Sequence, residues 1–288
     1  MAQTRELRRR IRSVENTRQI TRTMEMVATS KLKRAQDRVV AARPYAEALA
    51  GVLRDLYSPE LAEQFPLLRQ PATPRRVAVI GITSNRGLCG AFNANLIKET
   101  RRRVEELERA GAEVELHLVG RKGIGFFRFV GRELATKRQD IGDRPTPQHG
   151  AEVVDSLMER FANGELDGVE VVFAKFVSAL STPPTRMVVL PIEPPKAVRG
   201  SVPYYILRPD AESLLGAILP LYVRNQVFRA LVETAASEQG ARRTAMKNAT
   251  DSAGDMIDSL RRTFNRARQA QITQEIAEIV GGAEALRG

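Results

Sequence analysis

The sequence predicts an α/β protein that also carries a long antiparallel coiled coil, with its N- and C-terminal helices paired and an α/β domain inserted between them. Three observations predict it. Apolar residues recur at alternating spacings of four and three from Leu7 to Leu56. A second run of that kind extends from Leu214 to Gly281. Between the two, short apolar runs alternate with amphipathic stretches, the pattern of strands and helices in turn. The expected boundaries are an N-terminal coiled-coil helix over 1–60, an α/β domain with its linkers over 61–208, and a C-terminal coiled-coil helix over 209–288.

The first seam reads Leu7, Ile11, Val14, Arg18, Thr21, Glu25, Ala28, Leu32, Ala35, Val39, Ala42, Ala46, Leu49, Leu53 and Leu56. Only Arg18, Thr21 and Glu25 are not apolar, and a register held this long marks a coiled-coil seam rather than one face of a globular helix. Beside those three, Ile20, Met24 and Val27 form an apolar stripe displaced by one position, which fits either a seam that rotates there or a stretch that faces a different neighbour. Pro44 lies within the run, and its missing N–H predicts a kink near Ala41.

The second seam passes through Leu214, Ile218, Leu221, Asn225, Phe228, Val232, Ala235, Gln239, Arg242, Met246, Ala249, Ala253, Met256, Leu260, Thr263, Ala267, Ala270, Gln274, Ala277 and Gly281. Its many alanines allow close helix approach. No proline follows Pro220, so one helix is expected to the end, longer than its partner by a few turns. Its tip, with Ile276, Ile279 and Val280, is then expected to project alone. Pairing the two helices within one chain benefits from their high effective concentration, whereas self-pairing of each helix is the simpler alternative.

Charge separates the two. The whole chain carries +11, yet residues 1–57 hold 13 Lys/Arg against 6 Asp/Glu, while residues 210–288 hold 10 of each. The basic character therefore sits on the first helix, beginning with Arg5, Arg8, Arg9, Arg10 and Arg12. One reading of such a helix is a nucleic-acid-binding coiled coil. Against it, no aromatics are interleaved with these arginines and the second helix is neutral.

In the middle, Val77–Ile82 reads as a buried strand and is followed by Thr83-Ser84-Asn85-Arg86-Gly87-Leu88-Cys89-Gly90 and a helix to about Ala110. Val114–Val119 is a second strand, with a short helix near Ile124–Val130 and a weaker strand near Glu133–Arg138. A helix from about Gln148 to Ala162 leads to a strand at Val169–Val177, and Arg186–Ile192 reads as a last strand suited to antiparallel pairing. Alternation of this kind predicts a Rossmann-like, mostly parallel sheet covered on both faces.

Strand, Gly-containing loop and helix also begin phosphate-binding folds. Gly81, Gly87 and Gly90 fit neither G-x-G-x-x-G nor the P-loop, so they are read as turn formers, with Arg86 facing solvent or a protein partner. Two histidines, His117 and His149, and one cysteine do not make a Cys/His metal set, and no G-x-S-x-G elbow is present. No catalytic residue, cofactor or metal is expected. Cys89 alone precludes an internal disulfide and fits a reducing compartment. No run approaches the ~20 apolar residues that span a bilayer, and the first residues lack the apolar stretch of a secretory leader.

Three stretches carry a resemblance. Ile20-Thr21-Arg22-Thr23-Met24-Glu25-Met26-Val27-Ala28 resembles the N-terminal signature of the gamma subunits of F-type ATP synthases, in their bacterial form. Thr83 to Gly90 is similar to that family's loop after the first strand of the α/β domain. Ser237-Glu238-Gln239, Met246 to Asp251 and Asn265 to Ile276 resemble its C-terminal helix. The likeness covers nearly the whole chain in order.

The resemblance implies a non-catalytic central rotor stalk without a cofactor, coupling transmembrane proton flow to ATP synthesis by rotation. The implied partners are three alpha and three beta subunits, the epsilon subunit and the ring of c subunits. Its place would be the cytoplasmic face of a bacterial cell membrane, held peripherally. Arg268 and Gln269 match positions that contact a beta subunit, as do Met24 and its neighbours. Arg242, at a seam break, is placed with them. Tyr204, Tyr205, Arg208 and Asp210 fall in the stretch implied to meet the c-ring and epsilon. The seam breaks at Arg18–Glu25, Gln239–Arg242 and Thr263 become expected partner-facing positions.

Overall fold

The computed structural model describes residues 2–56, 64–193 and 210–285. Helix α1 covers Ala2–Leu56 and helix α5 covers Ala211–Ala285. Between them lie a short 3-10 turn at Pro66–Leu68, β1 (Arg76–Ile82), α2 (Phe92–Arg109), β2 (Glu113–Val119), α3 (Arg121–Phe129), β3 (Thr136–Arg138), α4 (Pro147–Ala162), β4 (Gly168–Ala174) and β5 (Pro184–Leu190). The chain divides into two compact units, one made of Thr29–Arg242, the other of Met1–Ala28 with Arg243–Gly288.

In the larger unit five strands lie in the order β3-β2-β1-β4-β5. The first four are parallel and β5 runs antiparallel to β4, as the sequence pattern predicts. Alternation along β1 decides which residues face which layer. Ala78, Ile80 and Ile82 join the core formed with α4 and the two long helices, including Phe161, Leu53, Leu56, Leu215 and Leu219. Val77 and Val79 join the opposite core with Val104 and Leu107 of α2 and Ile124 and Phe127 of α3. Burial on both faces accounts for the nearly unbroken apolar run of β1.

The long helices pair within this unit. Ala35 and Val39 of α1 cluster with Val232 and Ala236 of α5. Of the first seam, Leu32, Ala46, Leu49, Leu53 and Leu56 are buried as well. Pro44 does not end α1, which is continuous across it. Its ring is exposed, as is Val40 one turn earlier, whose carbonyl loses its partner on the solvent side. From Leu231 to Gly240 every residue of α5 except Glu233 is buried, so the helix is enclosed on all sides there. Ala174 N donates to Thr234 Oγ1 at 3.3 Å, Ser237 Oγ donates to Ala174 O at 3.1 Å, and Phe176 N donates to Glu233 Oε2 at 3.2 Å. These bonds stitch α5 to the end of β4.

In the smaller unit the two helix ends run antiparallel. Thr4 meets Gln271 at 3.1 Å, Glu15 accepts from Arg261 at 2.8 Å, and Thr21 meets Thr250 at 2.8 Å. The Arg8 guanidinium lies 5.5 Å from the centre of the Phe264 ring. Here the expected seam of α5 needs correction. Ala253, Leu260 and Ala267 face inward, but the alternate row is Ile257, Phe264 and Gln271, not Met256, Thr263 and Ala270. Ile257 is 2% exposed and Met256 54%. Counting spacings accepts either row, whereas burial favours the row holding Ile and Phe over the one holding Thr and Ala. Thr263 is therefore no seam break. It lies off the seam, with its hydroxyl donating to Ser259 O.

Candidate functional site

The loop after β1 sits where phosphate-binding folds hold their ligand, between a strand and a helix. Thr83 Oγ1 bonds Val119 O and Gly120 O and accepts from Gly123 N. Ser84 Oγ donates to Arg86 O at 2.6 Å, and Ser84 N donates to Asn93 Oδ1. Asn85 Nδ2 reaches Gln139 O and Ile141 O, while its Oδ1 accepts from Arg121 N. Every polar side chain from Thr83 to Asn85 is thus spent on holding neighbouring chain, and none is left to cradle a phosphate. The turn itself corrects one expectation. The left-handed residues are Leu88 (φ 63°) and Gly90 (φ 59°), not Gly87.

The loop packs on α5 through a buried ion pair. Arg242 Nη2 lies 2.6 Å from Glu238 Oε1 and donates to Gly87 O at 3.3 Å, with both side chains only about a tenth exposed. Burial pushes the Glu238 carboxyl up, against the pull of Arg242. Gln239 is buried too. Arg242 therefore supports the loop from within, and Gln239, like it, is turned inward and not presented at the surface of this unit. Cys89 is buried, accepts from Asn93 Nδ2 at 3.1 Å, and burial raises its thiol above the ordinary value. That makes it a poor nucleophile.

Both histidines are structural. His117 bonds Thr136 across β2 and β3 at 2.9 Å. His149 closes a capping box at the start of α4 with Thr146. Among the described residues no group of three His, Cys, Asp or Glu is placed to hold a metal ion. A recess of about 490 Å³ at the carboxyl end of β1 carries mixed charge from Arg86, Arg144, Asp140, Asp143 and Glu238. Asp143 is taken by Lys31 Nζ at 2.5 Å, and its carbonyl by Arg38 at 3.1 Å, which ties α1 to the loop after β3. Periodicity gave no sign of this tie, because its partners are 112 residues apart.

What remains free is helical surface. In the smaller unit Ile20 is 60% and Val27 52% exposed, and Met24 beside them is half-buried. The displaced stripe read from the sequence is thus an uncovered apolar strip. Arg268 and Gln269 are both exposed. Beyond the Thr4–Gln271 contact, residues 272–283 are all exposed, with Ile279 at 71%. Tyr204, Tyr205 and Arg208 lie outside the described residues. Asp210 caps α5, accepting from Ser213 N at 2.7 Å and Ser213 Oγ at 3.0 Å. Those bonds hold its carboxyl below the usual range.

The family model described as ATP synthase matches residues 3–286. The ATP synthase gamma chain of Gemmatimonas aurantiaca is 63% identical over 290 residues, covering all of both chains. The chain belongs to the ATP synthase gamma chain family. The gamma chain of Desulfitobacterium hafniense is 47% identical over 286 residues, covering 99% of this chain and 100% of its own. Among solved structures, the fold is similar to a chain of the Euglena gracilis mitochondrial ATP synthase, OSCP/F1/c-ring, with TM-score 0.70 and 20% identity over 99% of this chain and 95% of that one. A chain of the Tetrahymena thermophila mitochondrial ATP synthase, central stalk/c-ring, gives TM-score 0.62 and 24% identity over 80% of this chain and 99% of that one. No described helix is long and apolar enough to cross a membrane.

Proposed function

We propose that this chain is the central rotor stalk of an F-type ATP synthase, turning inside a head of three alpha and three beta subunits and coupling transmembrane proton flow to ATP synthesis. The observation that carries this reading is the unequal helix pair, whose longer member continues alone and exposed from residue 272 to 283. The membership in the gamma chain family supports it. On this reading the chain does no chemistry of its own. It acts by fitting one conformation of each catalytic site better than another, and it shifts their equilibrium only by that difference.

The residues divide accordingly. Ile20, Met24 and Val27, with Arg268 and Gln269, are the proposed contacts to beta subunits. Small apolar and singly charged contacts suit a surface that must bind and release in turn, since one deep minimum would stall rotation. Exposed arginines of α1 would meet acidic surfaces, which steers and orients more than it adds affinity. Residues 61–208 form the proposed foot toward the epsilon subunit and the c-ring, reached through Tyr204, Tyr205, Arg208 and the start of α5 at Asp210. The terminal segments 1–60 and 209–288 form the shaft. The complex would sit peripherally on the cytoplasmic face of a bacterial cell membrane, touching the bilayer only through the c-ring.

The test is reconstitution. Mixed with alpha and beta subunits, the chain is expected to form a complex of three, three and one that hydrolyses ATP, with a probe fixed to the foot turning in one direction. Failure to form that complex sinks the assignment.

A further inference from the structure

Asn225 lies in the row of α5 read from the sequence as its seam, one turn beyond Leu221. It is 8% exposed, and its carboxamide has no hydrogen-bond partner among the described residues. Its amide atoms are not fully enclosed, so a molecule that reaches them can supply the missing bond. It lines a recess of about 270 Å³ in the larger unit, and the rest of that recess is mainly apolar. Pro147 and Ala151 of α4 form one wall, Leu221 and Phe228 of α5 another, and Tyr45 of α1 stands at the rim.

The recess cannot collapse. At Gly150 the backbones of α4 and α5 already touch, since a Cβ there would lie 2.9 Å from Arg224 O and 3.0 Å from Phe228 Cβ. That contact fixes the helix separation, and the small Ala151 beside it leaves the space unfilled. Ionic ligands are disfavoured. Arg224, the one charged lining group, is committed to Asp155 through contacts of 2.7 and 3.0 Å. Tyr45 and Leu221 expose apolar surface at the mouth, 54% and 42% respectively, which an occupant would cover.

We propose that this recess binds a compact, uncharged aromatic small molecule bearing a hydrogen-bond donor, which the Asn225 carboxamide receives between the walls of α4 and α5. Size agrees, because a dry cavity of roughly 150 Å³ holds one benzene ring, and the present volume suits two fused rings. The Tyr45 and Phe228 side chains line it and offer aromatic contact. The site goes beyond rotation and coupling and does not depend on them.

The probes are indole and N-methylindole, whose blocked nitrogen cannot donate, measured on the complete chain by saturation-transfer NMR titration with a thermal shift alongside. Indole is expected to bind saturably, with N-methylindole weaker by about tenfold. Asn225→Leu is expected to abolish that preference, because it removes the carboxamide that receives the indole N–H. Ala151→Phe, which fills the space from α4, is expected to remove binding of both probes with the fold retained. Absence of saturable indole binding overturns the proposal. So does a preference for indole that survives Asn225→Leu, or binding that survives Ala151→Phe.

Discussion

The hydroxyls of Thr21 and Thr250 lie 2.8 Å apart and bond one another between the paired helices, at the point where the seam of α1 loses its apolar residues. Each hydroxyl is also bonded to its own helix, Thr21 to Arg18 O at 3.0 Å and Thr250 to Met246 O at 2.9 Å. A polar break in the seam is thereby satisfied within the chain. It holds register while the neighbouring Ile20 and Val27 stay uncovered. Changing either threonine to Val removes half of the pair and is expected to cost about 1 kcal/mol, while the double change recovers most of that loss. Urea unfolding of the four chains, treated as a double-mutant cycle, measures the coupling. Strictly additive losses would show the bond to be idle.

Gly120, between β2 and α3, is expected to tolerate no side chain. Its φ is +99°, and a Cβ would stand 2.1 Å from Thr83 O, a backbone atom that cannot move aside. Gly120→Ala is expected to destabilise the larger unit by at least about 3 kcal/mol, read as a fall in Tm of roughly 10 °C. Gly111→Ala is the control. Its φ is also positive, at +88°, but no atom lies within 4 Å, so a smaller loss is expected.

Acid should weaken the cluster on α2. Hydrogen bonds from Arg186 and Arg102 hold the Glu106 carboxyl down from an ordinary 4.5 to about 2. A lowered value in the folded chain means that the unfolded chain binds the proton first, so this contribution is present above about pH 4.5 and fades as pH falls toward 2. Glu106→Gln is expected to be less stable than the parent at neutral pH and equal to it near pH 2. Thermal melts across that range check the convergence, and a constant gap would point to packing instead of charge.

The exposed helix positions separate function from stability. Arg268→Ala with Gln269→Ala, and separately Val27→Asp, are expected to leave Tm within about 1 °C, as exposed substitutions do. Coupled ATP synthesis or hydrolysis in the reconstituted complex is expected to fall several-fold. Activity equal to the parent would remove these residues from the proposed contacts.

Much of this was legible beforehand because it depends on spacing. Short apolar runs placed β1, β2, β4 and β5, and the spacing of four and three found nearly every inward residue of α1. The misread row at Met256, Thr263 and Ala270 has a physical origin. Three residues per heptad were compatible with the seam, and the choice among them rests on which side chains fill the space between helices. The role of Arg242 was hidden for another reason. Its partner Glu238 is one helical turn away, but the carbonyl it supports, Gly87 O, lies 155 residues off in sequence. Contacts of that kind are created by the fold and leave no period. The Asn225 recess is of the same type, visible as a polar interruption but not as a space.

The enclosure of α5 from Leu231 to Gly240 has a mechanical meaning. A cylinder gripped on one side can creep around its own axis by exchanging one set of side-chain contacts for another. This one is held from every direction and pinned at Thr234, Ser237 and Glu233 to the end of a strand. A twist applied to the sheet would pass to this stretch of helix through those three bonds, which would have to break before the helix could slip.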